Sequence, residues 1–542
     1  MIKLFSNIFL LSFFSVISAY FLTPNLSFDY YGFYMFALMI VLIAILTHNF
    51  NTPFKTKDKN NVLSIVLLIS FISIFSYIII MTICGSWFFN EKEYKSLIGE
   101  VKIIENDSNI SPVNLKELRI VDKDLAKKRA NEIINKNQSI GSQVEIKEMH
   151  IIEVNKKLIW IGALEPSGVF KWKNMDGTPG FVYVSATDYD DADIVANKNM
   201  RYTEYSYFNN NLERYLWMNG YHNIGKYEYI LELDDSYNPY WIVPLYKPTI
   251  SLSGNDIIGV LVVNPETGDI KSYKIDNIPS WIDRVYPEDL IVEQLEAWGA
   301  LGKGWFNQSI FGAKENVIET TGDNADIIFD NNFISNWYTG LKSVGDNDIG
   351  SVGFVTVNSR NKSVKQYKIS GPTEKGAKEV LSGAVANFSG YKVSNPIFAN
   401  IEGFYSYYAI IKDINNNIKK YGIVSAENRS IFGISDNLQD AIREYQQKQF
   451  ENNVKNDITS KNIKETINGF IARIESQNFG NNVAYYIILN NLNSNIAFKY
   501  YTTEDVEAVL TKEGDRVKFE YIKTDLNVFN ITDFDNLEIN IK

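Results

Sequence analysis

Hydrophobic positions along the chain fall into two regimes. In the first ninety or so residues they are continuous: Leu4–Phe21, Tyr31–Thr47 and Val62–Cys84 are apolar runs without an Asp, Glu, Lys or Arg. Each approaches the roughly 20 apolar residues that an α-helix needs to cross a bilayer, where a buried charge is costly. Further on, apolar residues alternate with polar ones in short stretches, broken by turn residues and by a few segments of helical period. The pattern predicts a membrane α-helical N-terminus of three spans, about 4–21, 31–47 and 62–84, followed by a large β-rich region.

Basic residues give the runs a direction. Lys3 precedes the first, Lys55, Lys57 and Lys59 lie between the second and third, and Leu22–Asp29 carries no Lys or Arg. Positive charge stays on the cytoplasmic side. The N-terminus and the lysine loop are therefore expected inside, and everything from about Asn90 outside. Trp87, Phe88 and Phe89 would mark the outer interface. Residues 1–19 also have the make-up of a signal peptide, with Lys3, an apolar stretch and the small Ser18 and Ala19. Cleavage there would leave two spans and the same placement of the tail.

About 450 residues suit two to four domains. Residues 90–120 read as a membrane-proximal stalk with turn residues at Asn106–Asn109. Beyond it the chain echoes itself. Trp160-Ile161-Gly162-Ala163-Leu164 is followed by Gly180-Phe181-Val182-Tyr183-Val184, and Trp241-Ile242-Val243-Pro244-Leu245 by Gly259-Val260-Leu261-Val262-Val263. Trp337-Tyr338-Thr339-Gly340-Leu341 precedes Gly353-Phe354-Val355-Thr356-Val357, and a fainter fourth echo runs from Tyr421 to Ile434. Each is a strand opening on Trp, a loop, and a second strand reached through Gly. Helical stripes sit between them at Asp122–Asn135, Asn211–Met218, Pro372–Val385 and Leu438–Phe450. This order predicts an α+β region at 121–290 with two hairpin units and a third and fourth unit at 291–450.

Helix, strands and the turn Val263-Asn264-Pro265-Glu266-Thr267-Gly268-Asp269-Ile270 resemble PepSY domains, small extracytoplasmic α+β modules of bacterial peptidase propeptides and envelope proteins. The match is best from Tyr240 to Ile275, and looser around 122–195 and 337–434. The resemblance implies a binding or inhibitory module without catalytic residues. In 462–542 five strand candidates follow, Ile467–Glu475, Val483–Asn490, Ile496–Tyr501, Arg516–Ile522 and Val528–Ile541, with Glu504–Leu510 before the fourth. That order, and the phrase Gly514-Asp515-Arg516-Val517-Lys518-Phe519, resemble an OB-fold, a small β-barrel.

Composition narrows the chemistry. The net charge of −11 argues against a surface built for phosphate backbones, and so against nucleic acid. The single cysteine, Cys84, stands at the membrane edge, so the tail has no disulfides and no thiolate metal ligands. Abundant Asn, Ile, Lys and Tyr point to an AT-rich bacterial genome and a Gram-positive envelope. His48, His150 and His222 stand apart, and no His-Glu-x-x-His, Gly-x-Ser-x-Gly or Gly-Lys-Ser/Thr signature occurs. Asp188–Asp193 and Asp323–Asp326 are acidic enough for Ca²⁺, yet neither fits a twelve-residue calcium loop. No catalytic residue, cofactor or metal is expected.

Candidate ligand surfaces are Lys171, Trp172 and Lys173, where an indole flanked by ammonium groups would stack on sugar or peptide, and Tyr486 and Tyr500 on the barrel. The expectation is a non-catalytic, multi-pass plasma-membrane protein. Its partners would be the lipid bilayer and another envelope or membrane protein, or a cell-wall polymer. Its rivals are a wall hydrolase or protease with a carboxylate site, and a component of a secretion, conjugation or phage-associated machine.

Overall fold

Absence of charge and an apolar surface on every side produce three long N-terminal helices. In the computed structural model these are α1 (Ile2–Leu22), α2 (Tyr31–Asn51) and α3 (Val62–Cys84). The structure describes the chain apart from residues 1, 52–61, 105–112, 116, 323–324, 331, 345–349, 402, 460–463, 480–481, 491–495, 503–504, 523–527 and 540–542. The lysine loop at 55–59 and the turn at 106–109 thus lie outside the described residues.

Two helices, over Tyr31–His48 and Val62–Cys84, are long and apolar enough to cross a membrane. Only 11% and 6% of these windows is buried inside the protein, which is the opposite of a core helix. The expected third span is not established on the same terms. The described apolar run of α1, Phe9–Leu22, is shorter than a full crossing.

The chain divides into two compact units, Met1–Thr373 with Asn400–Gly403, and Glu374–Ala399 with Phe404–Lys542. The expected stalk is part of the first unit's fold. Its segment forms α4 (Glu91–Leu97), which buries Tyr94, and β1 (Val101–Ile104), which pairs in parallel with a strand more than 250 residues away. Nothing local in 90–120 encodes that pairing.

Next come α5 (Lys123–Lys136), β2 (His150–Val154), β3 (Lys157–Ala163), α6 (Val169–Lys173), β4 (Phe181–Ser185) and β5 (Ala192–Val195). Asp122 caps α5 by accepting from the Leu125 amide, and the helix buries Leu125, Ala126, Ala130 and Ile134. The strands form one antiparallel sheet in chain order. A second follows α7 (Leu212–Met218): β6 (Ile230–Leu233), β7 (Pro239–Ile250), β8 (Ser253–Val263) and β9 (Ile270–Lys274). Ile161, Phe181, Leu212, Leu216, Leu231, Trp241 and Leu261 join these two sheets and α7 in one core. The third set is α8 (Glu288–Ala300), α9 (Trp305–Gln308), β10 (Ile318–Thr320), β11 (Asp326–Phe329), β12 (Ser335–Ser343), β13 (Gly353–Asn358) and β14 (Val364–Tyr367). Its sheet runs β1-β14-β13-β12-β10, with β11 also on β12.

These sheets share register as well as order. Trp160 faces Val184, Trp241 faces Val263 and Trp337 faces Val357 across the central pair. Each indole N–H donates to a carbonyl upstream, of Val121, Tyr202 and Tyr286 at 2.8–2.9 Å. The residue after each Val, Ser185, Asn264 or Asn358, accepts from the backbone amides two and three positions on. The glycines four positions before the facing Val have a shared cause, although Gly259 lies inside β8 where Gly180 and Gly353 stand at the start of their strands. A Cβ on Gly180, Gly259 or Gly353 would overlap the carbonyl oxygen of Val195, Tyr273 or Tyr367 on the next strand. Gly259→Ala is therefore expected to destabilise the second sheet by about 1–3 kcal/mol. Loss of amide-exchange protection in β8 and β9 would report it, and unchanged protection would refute the close-approach account.

The second unit begins with α10 (Glu374–Ala384), β15 (Ile397–Ile401), β16 (Phe404–Lys412), β17 (Ile418–Ser425), β18 (Phe432–Ser435) and α11 (Leu438–Thr459). Tyr407 faces Val424 where the other sheets have Trp facing Val, and Ser425 repeats the side-chain turn with the amides of Glu427 and Asn428. Four positions beyond Tyr407, Ile411 faces Lys420 rather than glycine. Beneath the sheet, α11 is anchored by buried Tyr445, whose hydroxyl accepts from Ser406 Oγ at 2.8 Å and Gln449 Nε2 at 2.6 Å.

The C-terminal strands β19 (Lys464–Phe479), β20 (Asn482–Leu489), β21 (Ala497–Thr502), β22 (Arg516–Ile522) and β23 (Val528–Asn536) close into a barrel in the order β19-β20-β21-β23-β22. A short helix, α12 (Val506–Leu510), lies between β21 and β22 and puts Ala508 into the core with Ile471, Ile487, Phe498, Val517 and Phe519.

Candidate functional site

The junction of the first two sheets gathers titratable groups from three separate stretches. Glu165, just past β3, pairs as backbone with Glu145 and is 2% exposed. Its carboxylate accepts from Thr203 Oγ1 and, at 3.3 Å, from the Tyr205 amide. His150 opens β2, Glu204 and Tyr205 precede α7, and Glu148, Leu231 and Trp241 complete the wall. The void between them measures about 10 Å³, room for roughly one water molecule.

Burial dominates the electrostatics. It pushes Glu165 up to about 8, helped by the charges of Glu204 and Glu145 and opposed by the Thr203 and Tyr205 hydrogen bonds. Glu204 rises to about 7, mainly by burial and then by Glu148, Glu228 and Glu213, against a hydrogen bond from Tyr205. His150 goes the other way, held well below the ordinary imidazole range by burial and by Arg284 and Lys123. Near neutral pH Glu165 is thus mostly protonated and Glu204 close to its midpoint, beside a neutral imidazole. The site can store and exchange protons with one water. Among the described residues, no group of three His, Cys, Asp or Glu side chains is placed to hold a metal ion.

Sequence reading treated His150 as solitary. Its companions come from residues 148, 165 and 204, and pattern alone does not show that a turn and a second sheet bring them together. His222, by contrast, has an ordinary role: Nδ1 lies 3.1 Å from the Trp217 carbonyl, with the rings 5.8 Å apart.

The named surface candidates are dispersed. Lys171, Trp172 and Lys173 lie on the one-turn helix α6. Trp172 packs against Tyr207 and Phe208 with centroids 6.1 and 5.4 Å away, Lys171 donates to the Ser142 carbonyl, and Lys173 is exposed. The indole is therefore half-buried against protein rather than free to stack on a ligand. On the barrel, Tyr486 and Tyr500 do not form one face. Tyr486 pairs with Lys499, whose ammonium lies 5.0 Å from its ring. Tyr500 packs on the core, stacks on Phe534 and donates to Asp505 Oδ2 at 2.6 Å. Strand alternation sends the two rings to opposite sides. Of the acidic runs, Asp188 receives the Asp190 amide in a local turn and Asp190 lies 3.7 Å from Arg129. Asp323 and Asn324 lie outside the described residues.

No family model and no curated protein matches this chain. Among solved structures, the crystal structure of a B. megaterium levansucrase mutant is similar at 9% identity, over 78% of this chain and 97% of that one, with a TM-score of 0.17. A similarity that slight carries no argument about fold or activity.

Proposed function

We propose that the chain is a multi-pass plasma-membrane protein that displays four α+β modules of PepSY-like type and an OB-like barrel outside the cell. Its role is non-catalytic: to bind an envelope protein or wall polymer. The observation that carries this reading is how the first unit sits on its helices. Trp217 Nε1 donates to the Pro24 carbonyl and Tyr30 Oη to that of Tyr246. Arg214 donates to the Tyr20 carbonyl and Ser251 Oγ to that of Met81. The α1–α2 loop and the C-terminal end of α3 thus meet the same folded region. Helices that cross a bilayer in alternation satisfy that arrangement with three spans. Two further features agree. The shared aromatic–Val register, Trp in three sheets and Tyr in the fourth, and the side-chain turn support one module used four times. The barrel order, with β21 and β23 parallel and α12 before β22, supports the OB type.

The hydrolase or protease alternative draws its support from Glu165 and Glu204. A one-water void weighs against it, because neither sugar nor peptide fits. Affinity capture of the detergent-solubilised full chain tests the binding role. A stable envelope partner or wall fragment is expected, and recovery of neither would overturn it.

A further inference from the structure

We infer that residues 305–311 form an interfacial loop that lies in the outer leaflet of the bilayer beside α3. The inference rests on the membrane reading above and adds a second contact of the outer region with lipid. The stretch Trp305-Phe306-Asn307-Gln308-Ser309-Ile310-Phe311 is polar in its backbone bonding and apolar in what it exposes. Asn307 ties the loop to itself through the Glu315 backbone, accepting its amide and donating to its carbonyl at 3.0 and 2.9 Å. Phe306, Ile310 and Phe311 meanwhile stand 66%, 87% and 77% exposed. Water is a poor solvent for three such side chains on one short loop.

Continuity with α3 identifies the occupant. The Trp305 ring meets Phe88 edge-on at 4.7 Å, and its amide donates to Glu91 Oε2 at 2.9 Å. Phe88 and Phe89 follow α3 by a few residues and are themselves 55% and 61% exposed. Trp87, Leu97 and Trp305 pack on the cluster of Tyr94, Ile250, Ala297 and Leu301, which fixes the loop to the segment leaving α3. Lys303 and Lys314 bracket the stretch. An apolar loop flanked by lysines, level with the end of an apolar helix, has the make-up of an element lying about 5–10 Å into the headgroup boundary. The end of α1 has a similar neighbour. Phe170, 81% exposed, sits on α6 beside Trp172, which packs on Phe208, and the Phe208 carbonyl accepts from Arg214 stacked over Tyr20.

The test uses the full chain carrying Cys84→Ala, reconstituted in phosphatidylglycerol–phosphatidylcholine vesicles. Single cysteines at Ile310→Cys, Phe311→Cys and, as a reference in α3, Ile72→Cys carry an environment-sensitive fluorophore. Nitroxide lipids labelled in the headgroup region (shallow) or deep in the acyl chain, and aqueous iodide, serve as quenchers. The expected result is blue-shifted emission at 310 and 311, strong loss of intensity with shallow nitroxide lipid and little with iodide. Quenching at 72 by deep nitroxide lipid, with 310 and 311 open to iodide, would overturn the loop and leave the membrane reading standing. No lipid quenching at 72 would overturn the membrane reading itself. Labels at 310 and 311 shielded from both quenchers would mean that a second copy covers the loop, which also overturns the inference. Because these side chains are exposed, labelling them does not disturb the core.

Discussion

Arg284→Ala is expected to cost the first unit about 2–5 kcal/mol at neutral pH, because it truncates a buried side chain and strands a buried carbonyl. Arg284 is 7% exposed and Glu232 2%. The guanidinium donates to the Ile151 carbonyl of β2 and lies 5.9 Å from the centre of the Trp337 ring in β12. Glu232, in β6, accepts the amides of Asp283 and Arg284 at 3.2 and 3.1 Å. Arg284 therefore meets all three sheets, the first and third through its side chain and the second through its backbone amide, and its charge favours ionisation of the acids beside it. Burial, with Asp283, lifts Glu232 to about 8, while burial and Glu153 lift Asp283 to about 7, and Arg284 lowers both. In the alanine variant these acids take up protons more readily, so the loss should shrink toward pH 5. A chain of more than one compact unit does not unfold in one step, so the measurement is local. Amide exchange in 150–154 and 230–233 should quicken by more than about tenfold at pH 7. A change of less than tenfold would remove Arg284 as the joint of the three sheets.

The second large effect is a pH dependence centred on Glu165. Its carboxyl titrates at about 8 in the folded protein against an ordinary 4.5. Between those values the folded state holds a proton that the unfolded state has lost, so stability falls as pH rises through the window. The slope approaches about 1.4 kcal/mol per pH unit for a single group. Glu204 adds a loss of the same sign up to about 7. His150 acts oppositely: its depressed folded value makes stability fall as pH drops below the ordinary imidazole range. The acids are partly offset below about 6.5 and act unopposed above it, so the decline should be steepest between about 6.5 and 7 and continue on Glu165 alone to about 8. Glu165→Gln keeps an acceptor for Thr203 and Tyr205 without an ionisable proton. It should stabilise the protein at pH 8 by a few kcal/mol and leave pH 5 nearly unchanged. Thermal inactivation or amide exchange across pH 5–8 would show the two profiles diverging with pH; parallel profiles would mean that Glu165 is not the group that titrates.

How much of this was legible in the sequence depends on the range of the interaction. The helix α5 is legible in its apolar stripe, and the structure adds the Asp122 cap. The glycines at 180, 259 and 353 stood out as strand openings, although only the neighbouring strand's carbonyl explains them. The fourth unit was faint because Tyr407 and Lys420 stand where its relatives have Trp and Gly. The barrel strands were placed within a few residues, yet Tyr500 was assigned to the outside. Alternation predicts that neighbours diverge but leaves open which of them faces in. The proton-holding site was not visible at all: Glu165, Glu204 and His150 carry no shared motif, and their altered titration arises from burial.

By itself the sequence determined which segments are apolar enough for a membrane, roughly where most strands and helices of the tail lie, and the repeated strands that open on Trp. These follow from the free energy of placing side chains in lipid or water and from backbone geometry over a few residues. Only the tertiary structure decided that 90–104 is woven into the fold, β1 joining the third sheet. It likewise decided that Arg284 locks three sheets together, and that Glu165 lies where a carboxyl keeps its proton. Those outcomes depend on segments tens to hundreds of residues apart excluding water from one another, and no local pattern records which of them will meet.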